Sequence, residues 1–334
     1  MSLFIELINP TSEQLGSSPE EFLRTHDAPL SIQITGKDPY RNRTLITLLH
    51  GNEPSGLRAV HRWLKMGRTP AVSLTILVPS VKAALQAPVF SHRMLPGFRD
   101  LNRCFKPPYR DSQGALAKEI LRKLVQSMPE AIVDMHNTTG SGPGFAVCLH
   151  TSNEHLSLVE RFCQRLVITE LRLGALMETE YSAAPVVTIE CGGRLDTEAD
   201  EFAWDGLCRY FEEPDVLTPM KSDWQLELLR HPARLRLRPP CHLAYANHPQ
   251  TDADLTLRQD IEHFNFGIVT PDTHLGWVGK NGLSVFTLSG NQRVEDVLVV
   301  REGAIYPSRP FKLFMITTNP EIALNDCLCY LVID

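Results

Sequence analysis

No run of about 18 consecutive apolar residues occurs in this chain, so nothing in it predicts a transmembrane helix. The first residues, Met1-Ser2-Leu3-Phe4-Ile5-Glu6, offer no basic leader. Glu6 and Asn9 then break the apolar stretch that a secretory signal requires, so no such signal is expected. None of the eight cysteines (Cys104, Cys148, Cys163, Cys191, Cys208, Cys241, Cys327 and Cys329) forms a Cys-x-x-Cys pair, and most sit inside apolar runs. That usage predicts reduced, mostly buried thiols and a cytoplasmic protein, rather than a zinc knot or a disulfide scaffold. Excess positive charge is also missing. With 33 Lys+Arg against 39 Asp+Glu, the net charge of −6 gives no global electrostatic case for nucleic acid or an anionic membrane surface. Internal repeats and low-complexity tracts are not evident.

What remains is ordinary globular composition, 43% hydrophobic and 22% charged, which excludes a disordered or collagen-like chain. At roughly 150 residues per domain, 334 residues predict about two domains. The first two thirds alternate strand-like and helix-like segments. Leu30 to Thr35 alternates with period two, while Thr44 to Leu49 and Ala71 to Val78 are continuous aliphatic runs of the buried-strand kind. Gly56 to Met66 reads as a helix with Leu57, Val60, Trp63 and Leu64 on one face. Further helices are predicted from Ser112 to before Pro129, after a cap at Asn153, and after a cap at Thr197 through Phe211. Short strands are expected at Ala131 to Met135, Gly144 to Leu149 and Val186 to Cys191. This alternation predicts an α/β core with a mainly parallel sheet. Beyond about Leu235 the apolar runs are short and broken by Pro, Gly and Asn, and no helical period appears after about residue 265. The expected division is an α/β domain over 1–225 and a smaller β-rich domain over 226–334.

Four segments carry chemistry. In Leu48-Leu49-His50-Gly51-Asn52-Glu53-Pro54-Ser55-Gly56 a buried strand ends at His50, turns at Gly51 and passes into a helix after Glu53. An imidazole and a carboxylate on such a turn can face one point at the carboxyl edge of the sheet, where α/β proteins bind ligands. Zinc accepts both donor types, although a turn histidine beside a helix-capping glutamate explains the pair equally well. In Ile132-Val133-Asp134-Met135-His136-Asn137-Thr138-Thr139-Gly140 a second strand ends in a histidine. His136 would complete a His/Glu/His set with a fourth position open, and Asp134 could accept its other ring N–H. The segment Arg99-Asp100-Leu101-Asn102-Arg103-Cys104-Phe105 offers a guanidinium fork and an amide suited to a carboxylate or oxyanion, with Asp100 able to hold an arginine in place. Finally, Thr188-Ile189-Glu190-Cys191-Gly192-Gly193 sets a carboxylate in an apolar strand, where burial would move its pKa toward neutrality as a general base needs.

The order HGNEPSG, RDLNRCF, DMHNTTG, TIECGG, spread over about residues 45 to 195, resembles the succinylglutamate desuccinylase and aspartoacylase family of the zinc carboxypeptidase-like clan. The resemblance implies a mixed, mainly parallel sheet flanked by helices and one zinc per chain held by His50, Glu53 and His136. It implies Asn102 and Arg103 as substrate contacts, Glu190 as base and proton shuttle, and Arg99 as the upstream arginine, with Arg93 competing for that role. It also implies an amidohydrolase acting on an N-acyl amino acid or related small molecule. A zinc carboxypeptidase acting on peptides and a non-catalytic zinc-binding protein stand as alternatives, and a homo-oligomer is left open.

One position departs from the family. Ten residues before the base the family carries a carboxylate-binding arginine, and Glu180 stands there, which argues against N-acetylaspartate as substrate. Arg172 or Arg194 could substitute. His61 is expected at the surface or behind the site, and His92 and His150 in structural roles. Tyr181 and Tyr306 are weak candidates for substrate contact. The basic run Arg230 to Arg238 has no interleaved aromatics and is expected to be a link or an exposed strand.

Overall fold

The aliphatic run through Leu45 and Ile46 forms the middle of a nine-stranded sheet in a computed structural model that describes residues 3–179, 184–220, 225–290, 292–325 and 327–333. The strands are β1 (Ile5–Ile8), β2 (Leu30–Ile34), β3 (Asp38–Thr47), β4 (Val72–Val78), β5 (Ala131–Thr138), β6 (Phe145–Cys148), β7 (Arg165–Ile168), β8 (Val186–Gly193) and β9 (Glu227–Arg230). Their order across the sheet is β1-β2-β4-β3-β5-β8-β6-β7-β9. β3 runs parallel to both β4 and β5, whereas β2 against β4 and β6 against β8 are antiparallel. The sheet is therefore mixed, and it is flanked by helices as the alternating pattern requires. β3, β5 and β8 are neighbours, so the histidine and glutamate segments singled out above belong to three adjacent strands.

In chain order the helices through residue 212 are α1 (Ser12–Leu15), α2 (Pro19–His26), α3 (Ser55–Lys65), α4 (Val81–Leu85), α5 (Ser112–Ser127), α6 (Asn153–Glu160) and α7 (Thr197–Glu212), and the predicted ones follow the apolar spacing. In α3 (Ser55–Lys65) Leu57, Val60, Trp63 and Leu64 are buried. Trp63 meets Phe211 of α7 (Thr197–Glu212) edge to face at 5.1 Å. The helix Ser112–Ser127 begins where Asp111 accepts the Gly114 N–H at 2.7 Å. Caps lie one residue earlier than expected at two sites: Ser152, not Asn153, accepts the His155 N–H, and Asp196 precedes the helix that starts at Thr197. β1, the two helices before β2 (Ser12–Leu15 and Pro19–His26), β7 and β9 had no sequence prediction. β1 is an edge strand with one buried residue, so no apolar run marks it.

By compactness the chain divides into one unit of residues 1–137 and 144–228 and a second of 138–143 and 229–334. The second contains two five-stranded sheets built from strands of three to five residues, together with a short helix, Pro320–Asn325. Leu235, Leu255, Phe286, Ile305, Leu313 and Leu331 form its core. Strands that short leave only broken runs in the sequence, and the helix is too brief to show a period. Among the described residues no helix is long and apolar enough to cross a membrane. The cysteines form no disulfide, and all but Cys208 are buried.

Candidate metal centre

β3 closes at Thr47, earlier than the apolar run suggested, and Leu48 turns the chain with a φ of +59°. Gly51 then passes so close to its neighbours that a Cβ there would lie 2.5 Å from the Ala84 nitrogen and 2.7 Å from the His92 carbonyl oxygen. Only glycine fits this turn, which returns the chain into α3 two residues after Glu53. On the adjacent strand Met135 sits in register with Thr47, so His136 emerges beside the turn.

The three side chains meet. His50 Nδ1 lies 2.9 Å from Glu53 Oε1, and His136 Nδ1 lies 2.6 Å from Glu53 Oε2. One donor atom from each residue falls within 4.8 Å of the others, and all three residues are buried. The far nitrogens are also held: His50 Nε2 is 2.8 Å from Asp100 Oδ1, and His136 Nε2 is 2.9 Å from Asp134 Oδ2. Each imidazole thus turns Nδ1 inward; His50 Nε2 is hydrogen-bonded to its carboxylate, the arrangement that fixes ring orientation and tautomer in histidine metal sites, and His136 Nε2 is paired by charge with Asp134.

The electrostatics agree with the geometry. Burial alone would raise the pKa of Glu53, but His50 and His136 on either side overcome it and hold the carboxyl well below its ordinary range. Asp100 is likewise lowered against the pull of its burial, by His50, Arg93 and Arg103. Burial works to lower His136, yet Asp134 and Glu53 drive it well above the ordinary histidine value. A buried cluster with this much negative charge suits a divalent cation. Two imidazole nitrogens and a carboxylate oxygen converging from three directions are the donor types and count of a catalytic zinc site. The residues present fit zinc.

Glu190 stands on β8, the next strand. Burial pushes its carboxyl up to about 7, with Glu53 and Asp134 adding to the rise and the two histidines opposing it. A carboxyl near neutrality beside such a cluster can exchange a proton at physiological pH.

The arginine nearest this cluster is not the one the sequence favoured. Arg99 is half exposed and its guanidinium is bound to Asp111, at 2.5 and 2.8 Å, at the start of the helix Ser112–Ser127. Arg93 instead reaches in, with Nη1 3.1 Å from Glu53 Oε1 and Nη2 2.9 Å from Asp100 Oδ2. Arg93, rather than Arg99, is thus the arginine in contact with the cluster: Asp111 at the start of that helix holds the first guanidinium, and Asp100 holds the second.

Asn102 is buried with Nδ2 3.4 Å from His136 Nε2, but its Oδ1 already accepts the Leu176 N–H at 2.9 Å. Arg103 donates to the Asn102 carbonyl oxygen at 2.8 Å. His61 is not a surface residue; it is buried, and its Nε2 meets the Leu15 carbonyl oxygen at 3.0 Å. His92 and His150 stay out of the cluster, the first against the Ala87 carbonyl oxygen and the second facing the His155 ring. Arg194 reaches the Phe90 carbonyl oxygen, and Arg172 is exposed. Glu180 and Tyr181 lie outside the described residues, and Tyr306 belongs to the second unit. The sequence missed that Asp100 backs His50, although its place in the Arg-Asp-Leu-Asn-Arg segment had marked it as an anchor.

Residues 42–205 match the model of the succinylglutamate desuccinylase/aspartoacylase catalytic domain. Over those residues the chain belongs to this family. Solved structures agree on the fold. A succinylglutamate desuccinylase from Silicibacter sp. TM1040 is 18% identical with a TM-score of 0.56, the match covering 90% of this chain and 88% of that one. A succinylglutamate desuccinylase/aspartoacylase from Rhodobacter sphaeroides is 17% identical with a TM-score of 0.54, covering 84% and 82%. A mutant form of murine aminoacylase 3 is 17% identical with a TM-score of 0.52, covering 89% and 95%. No curated protein matches in sequence.

Proposed function

We propose that the chain is a zinc-dependent amidohydrolase that removes the acyl group from an N-acyl amino acid or a related small amide. The observation that carries this reading is the meeting of His50, Glu53 and His136, each imidazole backed by its own aspartate. The family of residues 42–205 and the names of the similar structures support the substrate class proposed.

His50, Glu53 and His136 would hold the zinc, which when bound polarises an amide carbonyl and lowers the pKa of a water. Asp100 and Asp134 keep the two imidazoles facing inward. Glu190 takes the proton of the attacking water at a carboxylate oxygen and delivers it to the leaving nitrogen, a transfer that a carboxyl near pH 7 performs in both directions. The Arg93 guanidinium, fixed by Asp100, offers positive charge to the acyl oxygen as it gains negative charge. The amide N–H of Asn102 and the Arg103 guanidinium orient the substrate carboxylate.

Metal analysis of the purified protein, with a screen of N-acyl amino acids and short peptides, tests the proposal. The expected result is about one zinc per chain, as one such site holds one ion, with release of free amino acid from an acylated one. A Glu190→Gln variant should keep the zinc and lose most turnover. Near-normal hydrolysis by that variant would overturn the assignment of the base. Trimming of peptides from the carboxyl end, with acyl amino acids untouched, would overturn the substrate class in favour of a carboxypeptidase.

A further inference from the structure

Asn137 follows His136 directly and is buried, yet the chemistry above gives it no part. Its side chain is fully engaged. Oδ1 accepts the Ser55 backbone N–H at 3.1 Å, while Nδ2 donates to Ser55 Oγ at 2.9 Å and to the Gly192 carbonyl oxygen at 3.1 Å. Ser55 is the first residue of α3, two positions after Glu53, and Gly192 lies two positions after Glu190 on β8. A single amide thereby ties together the segments that carry His136, Glu53 and Glu190.

The tie has an outer brace. Ser55 Oγ donates to Asp200 Oδ1 at 2.6 Å, and Arg58 Nη1 donates to Asp200 Oδ2 at 2.9 Å, so α3 is held to α7 from the other side. The first turn of α3 cannot drift from β5 or β8 without leaving a buried donor or acceptor unmet, which is costly inside a protein.

We propose that Asn137 is a positioning residue that sets the spacing of the His50–Glu53–His136 cluster and of Glu190 beside it. This deepens the amidohydrolase reading and rests on it. Both donors of the amide are needed. Asn137→Asp keeps the shape and the acceptor for Ser55, but it turns an oxygen toward the Gly192 carbonyl and pushes that strand away.

The test measures zinc affinity by chelator competition, independently of turnover, and then kcat and KM at saturating zinc. Asn137→Asp is expected to bind zinc about 10–100-fold more weakly, the usual effect of removing a group that orients a ligand. It should also lower kcat while KM stays within about threefold. The control is Tyr210→Phe, which loses buried hydrogen bonds to the Thr44 carbonyl oxygen within β3 and to the Ala131 carbonyl oxygen at the start of β5. It should lower the melting temperature and leave zinc affinity unchanged. Ser55→Ala supplies a second variant should Asn137→Asp not fold, with a smaller loss of affinity expected because Oγ alone is removed.

Parent-like zinc affinity in the folded Asn137→Asp protein, or a loss matched by Tyr210→Phe at equal melting temperature, would overturn the positioning role. So would a parent protein that binds no zinc. A parent that binds zinc but cleaves no amide would instead defeat the amidohydrolase reading, and the affinity comparison would still decide on Asn137.

Discussion

His50 and Asp100 are separated by fifty positions in sequence, and their side chains meet at 2.8 Å, Nε2 against Oδ1. The same carboxylate receives Nε and Nη2 of Arg93 on its other oxygen. One acid therefore orients an imidazole and anchors a guanidinium, and Asp134 provides the matching support behind His136.

From this arrangement, Asp100→Asn should weaken zinc binding by about 10–100-fold. The amide can still meet one partner but cannot hold both the ring N–H and a full positive charge. Competition against a chelator of known affinity measures the loss. Unchanged affinity would mean that His50 is oriented by other contacts.

Arg93 and Arg99 should separate cleanly. Arg99→Ala removes a solvent-exposed pair with Asp111, so stability should change little and kcat/KM should not move. Arg93→Ala removes the cation that touches Glu53 and Asp100, and kcat/KM should fall by roughly 100-fold, the scale of a lost oxyanion donor. Steady-state kinetics on the two variants, with any substrate found in the screen, decides between them.

Much of this centre was legible in the sequence because its donors sit at strand ends. Buried aliphatic runs announced β3, β5 and β8, and polar residues interrupting them at His50, His136 and Glu190 stood out for that reason. Of their partners only Asp134, two residues before His136 on the same strand, was legible, and the contacts made across loops were not. Whether Arg93 or Arg99 turns inward depends on which guanidinium Asp111 captures, a contact made across a loop with no period. Arg43 shows the same limit in the frame of the fold. It lies on β3 with its guanidinium fully buried, satisfied by Glu130 and by the carbonyl oxygens of Tyr210, Glu213 and Pro214. Three of those acceptors are backbone atoms some 170 residues away, which no local pattern can indicate.

Gly51 makes the metal turn sensitive to a single methyl group. A Cβ there would lie 2.5–2.7 Å from backbone atoms of Ala83, Ala84 and His92, none of which is a flexible side-chain end. Gly51→Ala should therefore cost about 1–3 kcal/mol through overpacking, visible as a lower urea midpoint with an unchanged slope. It should also displace His50 and weaken zinc binding. A protein as stable as the parent would show that the turn can relax around the methyl group.

Glu190 should place function and stability in opposition. Its carboxyl is raised to about 7 in the fold by burial, above the ordinary value of 4.5. A group raised in this way favours the folded state while it is protonated, and that contribution disappears as pH rises through the folded-state pKa. The metal-free parent should therefore lose stability between about pH 4.5 and pH 7 on account of this residue. Glu190→Gln cannot ionise and avoids that loss. At pH 8 the metal-free variant should be more stable than the parent by roughly 3 kcal/mol, and the gap should close toward pH 4. In the zinc-loaded enzyme the same substitution should remove most turnover. Urea unfolding of both metal-free proteins at pH 4 and pH 8 measures the difference, and a gap that is constant or widens toward acid would contradict a carboxyl that is reluctant to ionise.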